Sequence, residues 1–129
     1  MLILGIDYGL RKVGLAVVET ESKLAEPITV IHPAEVIAWI RKNRAKYSID
    51  RIVIGLAGGK LDQVIRAFGR NIETKFSTPV HYFDETLSTQ DAQANLRNNF
   101  ASRKKRKKVE DAVAAAIKLQ SYLEGGVND

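Results

Sequence analysis

Cysteine is absent from the chain, which excludes disulfides, thiolate nucleophiles and Cys-ligated zinc. Histidine is scarce, with two in 129 residues, and His32 and His81 read as a loop residue and a strand residue rather than as metal ligands. No apolar run approaches the ~20 residues that cross a bilayer. The opening "MLILGI" is too short for a secretion signal and lacks a basic leader. A cytoplasmic location and no membrane partner are therefore expected. Repeats and linkers are missing too, so the length predicts one domain over residues 1–129, able to bury roughly two-thirds of its unfolded surface.

What the chain does have is concentrated positive charge. The formal net charge is +5, and Arg103, Lys104, Lys105, Arg106, Lys107 and Lys108 are consecutive. Without those six cations the remainder would carry one net negative charge, so the basic character is a local device. Such a run suits phosphate contacts with a steep salt dependence. As a charge block it also reads as a solvated loop. Arg11 and Lys12 form a second, smaller candidate for nucleic-acid contact, or are ordinary surface cations of a turn.

Apolar patterning predicts the order of elements. "LILGIDYG" and "RKVGLAVVE" read as two strands of a hairpin, and "PITVIH" as a third strand. A helix is expected from Pro33 through Tyr47, with Val36, Ile37, Ile40 and Tyr47 on its apolar side and Trp39 packed or at its boundary. "DRIVIGLAGG" reads as a buried parallel strand. Leu61 to Phe76 is expected as a helix and "PVHYFDE" as a fifth strand. Ser88 and Asp91 resemble a capping box opening a helix through about Asn98. The last helix is expected from about Val109 to Leu123, stopped by Gly125 and Gly126. The order β-β-β-α-β-α-β-α-α predicts an α/β fold: a five-stranded mixed sheet flanked by helices, with strands 1, 4 and 5 parallel.

In that topology functional residues gather where the parallel strands end. Asp7 ends strand 1, and Glu85 ends strand 5 with Asp84 beside it. Glu110 and Asp111 open the last helix. Clustered carboxylates repel unless a cation lies among them. Hard oxygen donors point to Mg²⁺ or Mn²⁺, two of which, ~4 Å apart, act on a phosphodiester. Each acid also has an ordinary explanation: turn capping at a strand end, or the helix dipole for Glu110 and Asp111. Helical periodicity leaves the choice between those two open. "IGLAGG" lacks both the Lys-Ser/Thr of a P-loop and the spacing of a dinucleotide fingerprint.

Taken together, "LGIDYGLRKVGLAV", "RIVIGL", "YFDETLST" and "KVEDAVAAAIKLQSYLE" resemble the YqgF/RuvX family of the RNase H-like superfamily. The resemblance covers nearly the whole chain, in order. Its bacterial members are described as Holliday junction resolvases or as nucleases maturing the 5′ end of pre-16S ribosomal RNA. The resemblance implies the RNase H-like fold and puts the acidic positions on Asp7, Glu85 and Asp111, favouring Asp111 over Glu110. Two places depart from the family pattern. Thr86 stands where Arg is common, removing a bidentate phosphate binder. "GLAGGKLD" replaces a Gly-Leu-Pro-Leu-type loop.

The expectation is thus an endonuclease dependent on Mg²⁺ or Mn²⁺. Asp7, Glu85 and Asp111 would be its catalytic metal ligands, and pre-16S rRNA or branched DNA its substrate, acted on by a monomer or a homodimer. The alternative is a non-catalytic nucleic-acid-binding module with the same fold. A nucleotide-binding domain is a third reading, weakened by the small size.

Overall fold

The computed structural model describes residues 1–22, 24–56, 58–84, 115–120 and 122. Strands β1 (Leu2–Tyr8) and β2 (Val13–Glu19) form the expected hairpin, paired from Leu2–Glu19 to Tyr8–Val13. β3 (Glu26–Ile31) adds to the outer side of β2, with an irregularity at Leu15/Ala16. Pro27, which has no N–H to give a ladder, is thus on an edge strand, where it is tolerated. A 3-10 turn (Pro33–Glu35) leads into α1 (Val36–Tyr47), and β4 (Arg51–Leu56), α2 (Leu61–Phe76) and β5 (Val80–Asp84) follow. The sheet order is β3-β2-β1-β4-β5, and β1, β4 and β5 are parallel.

The helix expected from Pro33 thus begins as a tighter turn, capped by a residue that reads from sequence as mere loop. His32 accepts the Ala34 N–H at Nδ1 (3.1 Å), and Glu35 accepts the His32 N–H (3.1 Å). Two N–H groups that no helical carbonyl reaches are satisfied in this way.

Side-chain alternation along the strands divides the core in two. Leu4, Ile6, Leu15, Ile52 and Ile54 face one side, where they pack with Val36 and Ile40 of α1 and Ile65, Ile72 and Phe76 of α2. Ile3, Ala16, Val18, Val53 and Phe83 face the other. That second face is covered by helical residues 115–120 and 122, through Ala115, Ala116, Leu119 and Tyr122. A central sheet buried on both sides needs near-continuous apolar strands, which "LILGI" and "RIVIGL" supply. The expected last helix is met over these residues. Its start, and the whole helix expected from Ser88, lie outside the described residues.

Polar contacts fix this helical segment on the sheet. Gln120 Oε1 accepts the buried Ala25 N–H (2.9 Å), Arg51 Nη1 donates to Tyr122 Oη (3.0 Å), and the Tyr122 ring meets Phe83 edge-on at 6.3 Å. Gly5 permits the close approach. A Cβ there would meet Leu119 side-chain atoms at 3.0–3.3 Å.

Candidate active site at the ends of the parallel strands

Asp7 is the next-to-last residue of β1. Parity along the strand turns it to the face of Ile3 and Gly5, the face covered by the helical segment. There Lys118 Nζ donates to Asp7 Oδ1 at 2.5 Å, with the two side chains 24% and 20% exposed. A carboxylate this far from bulk water needs a cationic or hydrogen-bonding partner. Lys118 provides one, from the residue just before Leu119, whose contact with Gly5 sets the height of the segment above the sheet.

Both lateral neighbours of Asp7 are glycines. Gly14 is its antiparallel partner on β2. On β4, Gly55 follows Ile54, the parallel partner of Ile6. Paired residues in a sheet share a face, so neither flank of the Asp7 carboxylate carries a side chain. Gly55 in turn pairs with Phe83, which places Asp7 level with Phe83 two strands away, ~10 Å at the usual strand spacing. Asp84 ends β5 as an exposed residue.

A cavity of about 580 Å³ opens at this end of the sheet, lined by Asp7, Tyr8, Gly9, Leu10, Arg11, Lys12 and Leu61. Tyr8 faces away from Lys118, toward α2, with its ring 4.8 Å from that of Phe68. Arg11 and Lys12, expected as nucleic-acid contacts, are exposed in the β1–β2 turn and line the same cavity. Glu85, Asp111 and the run Arg103 to Lys108 lie outside the described residues.

Among the described residues, no three His, Asp or Glu side chains gather as metal ligands. Asp7 itself fits a hard divalent cation. It offers carboxylate oxygens, its flanks are free of side chains, and it already draws a positive charge. Lys118 and the paired glycines are what sequence reasoning missed. The signal for Lys118 was its position seven residues after Asp111, a spacing that returns to the same face of a helix.

The parallel strands, the acid at the end of β1 and the covering helical segment make an α/β fold of the RNase H-like type. Two solved structures share it. RuvC of Thermus thermophilus in complex with a Holliday junction substrate superposes with a TM-score of 0.63 at 16% identity, covering 98% of this chain and 96% of that one. The fowlpox virus Holliday junction resolvase gives 0.60 at 15% identity, covering 98% and 100%. At such identities the likeness concerns the fold.

The family is shown by sequence. Residues 1–125 match the family model RuvX, described as Holliday junction resolvase, and the chain belongs to this family. A relative from Caldanaerobacter subterraneus subsp. tengcongensis is 36% identical, covering 99% of both chains. Another, from Moorella thermoacetica, is 32% identical, covering 96% of this chain and 95% of its own. Both carry the name "Putative pre-16S rRNA nuclease".

Proposed function

We propose that the protein is a divalent-metal-dependent endonuclease that cleaves phosphodiester bonds in structured nucleic acid. Processing of the 5′ end of pre-16S rRNA is the first substrate to test and a four-way DNA junction the second. One observation carries the reading: a mostly buried carboxylate, flanked by glycines, ends the central parallel strand beside a cavity bordered by two cations.

Asp7, Glu85 and Asp111 would hold Mg²⁺ or Mn²⁺. When bound, the metal supplies Lewis-acid polarisation of the phosphate and activation of the attacking water. The chain's own residues do the rest. Arg11 and Lys12 bind the backbone beside the cavity, and the run Arg103 to Lys108 grips phosphates farther along the strand. The mostly buried setting of Asp7 keeps bulk water from screening the developing charge. Lys118 holds the Asp7 carboxylate in place between turnovers.

The second reading, a nucleic-acid-binding module without catalysis, is favoured by that same ion pair, because Lys118 already neutralises Asp7. Incubating the protein with precursor rRNA and with four-way junctions, in Mg²⁺ or Mn²⁺, separates the two. Cleavage by the wild type and at least ~10²-fold slower cleavage by Asp7→Asn supports the nuclease. Equal cleavage by Asp7→Asn means the metal mechanism is wrong, and binding without cleavage supports the module.

A further inference from the structure

Leu10 stands at the tip of the four-residue turn between β1 and β2, 69% exposed. It is the most exposed large apolar side chain among the described residues; the others are Met1 and Val64. A hairpin tip is ordinarily polar or glycine, and an apolar side chain there gains nothing from the fold. The turn that carries it closes tightly, for a Cβ on Gly9 would come within 2.7 Å of the Lys12 carbonyl oxygen.

Its surroundings form one surface. Leu10 and Leu61 line the cavity that contains Asp7, and Val64 lies one turn beyond Leu61 on α2. The Tyr8 ring, braced by Phe68, forms another wall. Arg11 and Lys12 follow Leu10 directly. Apolar side chains set beside cations match a planar base carried on a phosphate backbone. Proteins that open nucleic acid insert apolar wedges such as Leu between bases, and stacked bases contribute to binding without sequence preference.

We infer that Leu10 is a base-displacing wedge: it separates one nucleobase from its neighbour, and the cavity between Leu10, Leu61 and Tyr8 receives that base. Arg11 and Lys12 hold its flanking phosphates, which leaves the adjoining backbone beside Asp7. The inference rests on the nuclease reading for its substrate and adds to it how a stacked strand is opened at the site.

Two probes test it: a four-way DNA junction with 2-aminopurine at the crossover, and an RNA stem with 2-aminopurine at its junction with a 5′ single strand. Ca²⁺ replaces Mg²⁺ so that neither probe is cut. Fluorescence of the base, quenched by stacking, is read at saturating wild-type protein, Leu10→Ser and Leu10→Met, each checked as folded by circular dichroism. Wild type and Leu10→Met should raise the signal severalfold on at least one probe. Leu10→Ser should bind about tenfold more weakly, the value of one lost base contact, and leave the signal flat at saturation. The DNA and RNA arms tell which strand chemistry is opened.

An equal rise with Leu10→Ser, or no rise with the wild type bound to both probes, overturns the wedge. If the proteins showing that result still cut the Mg²⁺-containing substrates, the nuclease reading stands without it. Failure of the wild type to bind either probe overturns both.

Discussion

Replacing Gly5 by Val asks how tightly the sheet and the Lys118-bearing segment are locked together. A Cβ at Gly5 meets three Leu119 side-chain atoms at 3.0, 3.1 and 3.3 Å, and the two γ-methyls of valine add bulk in a face that is already closed. Leu119 is 1% exposed, so it has no open direction in which to turn. Overpacking of this kind costs ~1–3 kcal/mol. Valine's better strand propensity returns up to ~1 kcal/mol. The net is a loss of ~1–2 kcal/mol, or a melting temperature lower by ~4–8 °C for a chain of this size.

The assay is calorimetric or urea unfolding of Gly5→Val, Leu119→Ala and the double variant. Leu119→Ala alone should cost ~2–5 kcal/mol by leaving a void. The double variant should be less destabilised than the sum of the two, by at least ~1 kcal/mol, because valine then fills that void. A melting temperature unchanged within ~2 °C, or strictly additive losses, would refute the packing argument. The segment, with Lys118 on it, would then not be held at its height by Gly5.

Lys118→Met should tighten Mn²⁺ binding severalfold by calorimetry, since a positive charge 2.5 Å from Asp7 opposes a second cation. Weaker binding would mean that Lys118 helps hold the metal. Gln120→Leu should lower stability by ~1–3 kcal/mol in urea unfolding, because the buried Ala25 N–H loses the Oε1 it donates to. The loss should exceed that of Ser22→Ala, an exposed position. Tyr82 has its pKa raised, first by burial. Its neutral form is favoured in the folded state, so that contribution is present below pH ~10 and fades as the pH climbs past the raised value. A Tyr82→Phe variant should therefore lose less stability between pH 9 and 11 than the wild type.

The elements legible in the sequence are those whose signal is local. The span Leu61 to Phe76 predicts α2 at its observed bounds, and "DRIVIGLAGG" predicts β4, which ends at Leu56, three residues before the last glycine of that stretch. Parallel pairing of strands 1, 4 and 5 follows from the intervening helices. Asp7 was legible as a site candidate because a strand end needs no knowledge of register. Features that join distant segments were not. The glycine flanks of Asp7 appear only when β1 is aligned with both neighbours, and the Lys118 pair only when the helical segment is set on the correct face. His32 looked like loop because its cap depends on a turn geometry that composition does not fix. Leu10 stood inside the quoted strand-1 motif, yet its exposure is a property of the hairpin, which no periodicity reports.

The most direct measurement is anomalous diffraction from crystals of the protein soaked in Mn²⁺. The account predicts manganese bound to the carboxylates of Asp7, Glu85 and Asp111, with Lys118 displaced from Asp7 Oδ1. Manganese absent from Asp7, with the Lys118 pair intact at saturating metal, would contradict it.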